Sequence, residues 1–144
     1  IDPDGLRRDD FLDLLMTHCI EPQLPKLSVT VVYDFPASQC ALARIRPGEV
    51  PVAERFELYL GSVELANGYH ELTDAAEQSA RFDNDLRLRR QRGASALPKD
   101  QRLIDALESM PGCAGVAMGI DRLMMALLDA EALAEVVAFD FSKA

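Results

Sequence analysis

The sequence predicts an α+β fold in which an antiparallel sheet is flanked by helices. Two strand-type segments with alternating apolar residues meet at a tight turn within residues 55–69. Two helix-type segments then follow one another, and a late apolar strand leads straight into a further helix. Because these elements do not alternate as strict βαβ units, the pattern favours antiparallel neighbours in the sheet.

The chain begins with a predicted helix and a predicted strand. Residues 9–19 place apolar side chains at helical spacing, and Pro22 and Pro25 break that helix. Residues 27–35 are rich in Val and aromatic residues, as strands are, and Pro36 ends the run.

A β-hairpin is predicted around Gly61-Ser62. Apolar and polar residues alternate on both sides of this pair, and Gly at the first central position suits a two-residue type II′ turn. The turn predicts three cross-strand pairs: Leu60 with Val63, Tyr59 with Glu64, and Leu58 with Leu65.

Helices dominate the second half of the chain. Asp74 and Glu77 form a plausible capping box for a helix that runs to Gly93. Four more elements are predicted in chain order: a helix over 100–109, a buried strand over 115–118, an apolar helix over 119–128 and a short strand over 136–141.

Composition indicates one soluble globular domain. The chain has 144 residues, of which 49% are hydrophobic and 27% charged, and no apolar run approaches the ~18 residues of a membrane helix. A net charge of −9 argues against unaided binding of nucleic acid. Cys19, Cys40 and Cys113 are widely spaced, which suggests buried thiols in a reducing compartment and not a zinc site.

Two glutamates of the hairpin form the first candidate site. Glu57, Tyr59 and Glu64 are expected on one face, with the Cβ atoms of the two glutamates roughly 7 Å apart. A hard cation such as Mg²⁺, together with nucleotide phosphates, fits between two carboxylates. The alternative is the solvated polar face of an amphipathic hairpin, and periodicity alone favours that alternative.

Asn67, Tyr69 and Glu71 form a candidate pocket for an ammonium group. An aromatic ring can pack on an alkyl chain while an amide and a carboxylate bind the cation. Strict alternation puts Asn67 and Glu64 on opposite faces, so a shared site requires a bulge or twist near Gly68. Taken alone, these residues fit a polar strand end before a helix cap better.

The third candidate lies at the joint between the late strand and the next helix. Small residues from Gly115 to Gly119 would let a flat ligand approach the backbone. Arg122, in the first helical turn, can stack on a base or bind phosphate. The alternative is a close-packed joint with an ion pair between Asp121 and Arg122.

Taken together and in this order, residues 55–59, 64–75 and 119–122 resemble the second half of the catalytic domain of class II lysyl-tRNA synthetases. The last segment is similar to motif 3 of that class. The resemblance runs from about Val29 to the C-terminus. It implies that residues 1–144 are a partial class II synthetase-like catalytic domain, with motifs 1 and 2 upstream of Ile1.

Within that family, the chain most resembles the paralogues that ligate β-lysine to elongation factor P. Residues 35–39 look like their version of that segment. His70 and Thr73 stand where synthetases usually carry Ser and Asn. Ala117 stands where synthetases usually have Gly, and its methyl group would change the floor of the amino-acid pocket so that another lysine isomer fits.

The resemblance implies ATP and Mg²⁺ as cofactors and assigns a role to each candidate residue. Glu57 and Glu64 would hold the metal and thereby ATP, while Arg122 would be the catalytic contact to the ATP phosphates and adenine. The lysine pocket would be lined by Asn67, Tyr69, Glu71 and Ala117, with Glu71 on the side-chain ammonium. No side chain would act as a covalent nucleophile, because this chemistry relies on positioning and charge neutralisation.

The resemblance also implies a reaction and partners. ATP would activate a lysine-type amino acid as its adenylate, and (R)-β-lysine would pass to a lysine of elongation factor P. The protein is expected to be cytoplasmic and homodimeric at full length, and tRNA is not an expected partner. The chain alone, starting at Ile1 without an initiator Met, is expected to be an inactive piece of a longer polypeptide. A lysyl-tRNA synthetase and a non-catalytic binding paralogue are the alternatives.

Overall fold

The computed structural model describes residues 5–26, 28–95 and 97–141. An antiparallel sheet organises this part of the chain, in the order β1-β3-β4-β5, with the short β2 also paired to β3. The strands are β1 (Val29–Pro36), β2 (Ile45–Arg46), β3 (Val52–Leu60), β4 (Val63–His70) and β5 (Ala114–Met118). The predicted α+β class with an antiparallel sheet is confirmed.

Within the described ranges, four α-helices accompany the sheet: α1 (Arg8–Leu15), α2 (Ala75–Gln91), α3 (Gln101–Leu107) and α4 (Ile120–Leu128). A π-helical turn (Met16–Ile20) and a 3₁₀ turn (Glu21–Gln23) extend α1 toward β1. The buried apolar residues include Ala43, Ala53, Leu72, Ile104 and Leu107.

Local capping fixes the starts of the two central helices. The carboxylate of Asp74 accepts a hydrogen bond from the backbone N–H of Glu77 at 2.9 Å. Asp100 accepts one from the backbone N–H of Leu103 at 3.1 Å. Such caps satisfy donors that the first helical turn leaves unpaired, so short polar side chains decide where these helices begin.

The hairpin follows the predicted register only near its turn. Leu60 pairs with Val63 and Tyr59 with Glu64, as predicted. Leu58, however, pairs with Ala66 and not with Leu65, so the third predicted pair is wrong. Leu65 is an extra residue in β4, a β-bulge.

The position of this bulge has a tertiary cause. The carbonyl of Leu65 accepts a hydrogen bond from the N–H of Gly119 at 2.8 Å, at the joint between β5 and α4. Gly68, where the sequence predicted the bulge, pairs regularly with Phe56 and Val116. A Cβ at Gly68 would overlap the ring of Phe56, so this glycine permits close packing instead.

Other predictions for the chain ends and cysteines need correction. Residues 136–141 form no strand, and Phe139 and Phe141 are exposed. The backbone N–H groups of Val136 and Val137 instead donate to the carbonyl of Leu133 in a local turn. Leu27, at the start of the first predicted strand, lies outside the described residues. The thiols were expected to be buried, but Cys19 is exposed, and all three cysteines are free. No helix in the described ranges is both long and apolar enough to cross a membrane.

Candidate active site

One face of the sheet collects the predicted site residues in rows that run across the strands. Glu57 lies opposite Asn67, and Asn67 lies opposite Ala117, so these three side chains leave the sheet on the same side. Glu64 shares this side because it lies opposite Tyr59. The Leu65 bulge produces this arrangement, since it reverses the alternation of β4 between Glu64 and Asn67.

The next row continues the same face toward Glu71. Arg55 lies opposite Tyr69, and Tyr69 lies opposite Gly115. A Cβ at Gly115 would overlap the carboxylate of Glu71, which therefore lies directly over the backbone of β5. The sheet thus brings Asn67, Tyr69 and Glu71 together, as the candidate pocket for an ammonium group requires.

Glu57 is buried, and two neighbours hold its carboxylate. The hydroxyl of Tyr59 donates to Oε2 at 2.6 Å. The guanidinium of Arg55 donates to Oε1 and forms an ion pair with it. Both oxygens of Glu57 therefore have protein donors, and the charge of this buried carboxylate is compensated.

Glu64 is in a different state. Among the described residues, no hydrogen bond or ion pair reaches its carboxylate. Burial raises its pKa, and the nearby charge of Glu57 raises it further, while Arg122 and Arg55 partly offset these effects. A cation placed beside Glu64 would stabilise its ionised form.

Glu21 is a third carboxylate at this site, and the sequence pattern did not reveal it. Its Oε1 lies 3.4 Å from the hydroxyl of Tyr59. Burial is the main reason that the pKa of Tyr59 is raised, and the charges of Glu57, Glu21 and Glu64 add to the shift. Glu21 begins a 3₁₀ turn directly before Pro22, where no periodicity predicts the direction of a side chain.

A cleft of about 430 Å³ lies between α1 and the sheet. Glu21, Glu57 and Glu64 border it, as do Arg55 and Phe35. The α1 side is attached by polar contacts: Asp9 with Ser38 at 2.7 Å, Asp13 with Gln39 at 2.8 Å, and Asp10 with Arg92 at 2.9 Å. The cleft thus has a wall of negative charge beneath a helix held by hydrogen bonds and an ion pair.

Arg122 borders a neighbouring cavity of about 370 Å³, together with Glu64, Asn67 and Ala117. Its Nη1 donates to the backbone carbonyl of Glu64 at 2.9 Å. Glu64 therefore borders both cavities, whereas Glu57 borders the larger one and Arg122 the smaller. The two carboxylates and the guanidinium are adjacent, with Glu64 as their common neighbour.

The chemistry of these side chains suits a magnesium nucleotide. In the described part of the chain, no group of three or more His, Cys, Asp or Glu side chains could hold a metal ion. Mg²⁺ in nucleotide sites is held by one or two carboxylates, with phosphate oxygens and waters as the other ligands. Glu57 and Glu64 offer that oxygen chemistry, and Arg122 offers a cation for phosphate.

An antiparallel sheet with flanking helices and a polar face is the architecture of class II synthetase-like ligases. A family model described as tRNA synthetases class II (D, K and N) matches residues 16–143, and the chain belongs to that family. Membership supports aminoacyl-adenylate chemistry in general. Because the family covers D, K and N enzymes alike, membership does not distinguish the amino acid or the acceptor.

Proposed function

We propose that this chain is the motif 3 part of the catalytic domain of a ligase that uses ATP and Mg²⁺. The full-length protein activates a lysine-type amino acid as its adenylate and transfers (R)-β-lysine to a lysine of elongation factor P. The observation that carries the proposal is the row Glu57–Asn67–Ala117, with Glu71 beside it on the same face. This row supports the proposal, because it brings a residue proposed for the nucleotide next to residues proposed for the amino acid.

The nucleotide end contains Glu57, Glu64 and Arg122. Bound Mg²⁺ supplies neutralisation of the phosphate charge. Glu64 has no side-chain donor among the described residues and is free to take a metal ligand position. Arg122 projects from the first turn of α4 and contacts phosphate and adenine.

The amino-acid end contains Asn67, Tyr69 and Glu71. One carboxylate oxygen of Glu71 lies over Gly115, and this carboxylate binds the side-chain ammonium of the substrate. Tyr69 packs against the alkyl chain, and Asn67 orients the substrate from the row that it shares with Glu57. The enzyme thereby holds the substrate carboxylate in line with the α-phosphorus, where positioning does the catalytic work.

Ala117 supports the choice of β-lysine. Its methyl group stands beside Asn67 at the edge of the smaller cavity, where a glycine would leave more room. Ala117→Gly in the full-length protein is expected to raise the use of α-lysine relative to (R)-β-lysine, as measured by amino-acid-dependent pyrophosphate exchange. An unchanged ratio would remove Ala117 from the specificity argument.

The acceptor is tested by giving the full-length protein radiolabelled (R)-β-lysine, ATP and either elongation factor P or lysine tRNA. We expect label on the factor and none on the tRNA. Charging of tRNA with lysine, and not of the factor, would identify the alternative, a lysyl-tRNA synthetase. The family model that matches the chain is described as tRNA synthetases, so it is compatible with this alternative as well.

A non-catalytic paralogue is the remaining outcome, and absence of Mg-ATP binding by the full-length protein would establish it. We place the full-length enzyme in the cytoplasm as a homodimer. In this proposal the isolated 144-residue chain does not catalyse pyrophosphate exchange.

A further inference from the structure

Arg55 occupies the position beside Glu57 that an incoming cation needs. Its Nη1 donates to the carbonyl of Gln39 at 3.1 Å, and the guanidinium carbon lies 4.4 Å from the centre of the Phe35 ring. The Arg55 side chain is 20% exposed and that of Glu57 is 10% exposed. The pair is therefore largely shielded from water. Its two charges interact more strongly in this environment than they would in solvent.

The guanidinium is not fully satisfied in this position. Its Nε is buried and has no hydrogen-bond partner among the described residues. A buried donor without a partner is unfavourable, because its hydrogen bond to water is lost on burial and no protein acceptor replaces it. The carboxylate of Glu57, the Gln39 carbonyl and the Phe35 ring hold Arg55 in this position, and the unpaired N–H opposes it.

A second cation would change this balance. Oε1 of Glu57 already faces Arg55 and Oε2 faces Tyr59, so a metal bound at Glu57 must share or displace these partners. A divalent cation repels a guanidinium on the same oxygen. Arg55 borders the cleft, so a small rotation would direct it into that space.

We propose that Arg55 is a built-in counter-cation, which leaves Glu57 when Mg-nucleotide binds and then contacts the anionic phosphates in the cleft. The inference rests on the proposed function, because it takes that cleft as the nucleotide site. Arg55 compensates Glu57 while the site is without nucleotide and becomes a ligand contact afterwards. Arg55 thereby acts in both states of the site.

Arg55→Gln tests the exchange, with Arg44→Gln as a control that removes the same charge from an exposed side chain outside the cleft. Calorimetric titration of the full-length protein measures two affinities: Mg²⁺ without nucleotide, and ATP at saturating Mg²⁺. We expect Arg55→Gln to bind Mg²⁺ about tenfold more tightly and ATP about tenfold more weakly. Arg44→Gln should change neither affinity.

The two affinities are expected to change in opposite directions. This distinguishes an Arg55 that moves from Glu57 to the phosphates from an Arg55 that only stabilises the fold. Parallel weakening of both affinities, or unchanged Mg²⁺ binding, would overturn the inference and leave the proposed function standing. A wild-type protein that does not bind Mg-ATP would overturn both. Arg55→Lys guards against misfolding of the glutamine variant: it keeps the charge on Glu57, so Mg²⁺ affinity should stay near wild type while ATP binding weakens through loss of the planar fork.

Discussion

Asn67 lies directly opposite Glu57, although strict alternation from Glu64 would put it on the other side of the sheet. The single extra residue Leu65 makes the difference. An amide expected in an amino-acid pocket and a carboxylate expected in a nucleotide site therefore become neighbours. The site depends on this irregularity as much as on the identity of its side chains.

Tyr59→Phe should destabilise the fold. The hydroxyl is one of two donors to the buried carboxylate of Glu57, and its loss leaves Oε2 unpaired. We expect a loss of about 1–3 kcal/mol in the free energy of unfolding, measured by urea denaturation. Tyr33→Phe is the matched control, because Tyr33 is 69% exposed; it should stay within about 0.5 kcal/mol of wild type. Equal effects of the two variants would contradict the assignment.

Gly115→Ala should impair the amino-acid pocket. The new methyl group would collide with the carboxylate of Glu71 and push it away from β5. We expect lysine or β-lysine to bind about tenfold more weakly to the full-length protein in calorimetric titration, as for loss of one charge-assisted contact. Gly112→Ala should leave binding unchanged, because nothing lies within 4 Å of the added atom. Normal binding by Gly115→Ala would show that Glu71 does not hold the ligand.

Glu64→Gln should stabilise the chain at neutral pH. The pKa of Glu64 is raised in the folded state, chiefly by burial, so the folded state holds more protons than the unfolded state between the two pKa values. The stability of the wild type therefore falls as pH rises through this interval. The glutamine variant has no ionisable group at this position and does not lose this stability. Its advantage should shrink as pH falls and vanish below the unfolded pKa.

Thermal melts of wild type and Glu64→Gln between acid and neutral pH measure this difference. Glu108→Gln, on an exposed side chain after α3, serves as the control for a generic change of charge. A pH-independent difference for Glu64→Gln would mean that its carboxyl is not perturbed by folding.

Cys40 should react more slowly with iodoacetamide than Cys19. Burial raises the pKa of the Cys40 thiol, which lowers the fraction of reactive thiolate at neutral pH. Cys19 is exposed. Peptide mass spectrometry over a time course measures the two rates, and faster labelling of Cys40 would contradict its environment in the fold.

The sequence predicts those elements whose causes are local. Asp74 and Asp100 mark helix starts because each reaches an N–H three residues away. Gly61 permits the hairpin turn because it adopts a φ of 57°. These signals lie within a few residues of the feature that they determine.

The remaining features arise from contacts between distant parts of the chain. The backbone carbonyl of Leu65, at the bulge, accepts a hydrogen bond from the N–H of Gly119. Glu21 reaches the site because the 3₁₀ turn that it begins lies beside Tyr59 of β3. The guanidinium of Arg81 donates to the carbonyls of Ala41 and Ala43, which lie far away along the chain. A single sequence contains no periodic signal for such contacts.

The attachment of α1 to the rest of the fold includes polar contacts that salt can weaken. This helix contributes no buried side chain, and its Asp9 and Asp10 are tied to the body by hydrogen bonds and an exposed ion pair. Salt weakens such an ion pair, and separating polar contacts exposes little apolar surface. We therefore expect α1 to separate from the sheet more readily as ionic strength rises, while the residues on β3 and β4 stay in place.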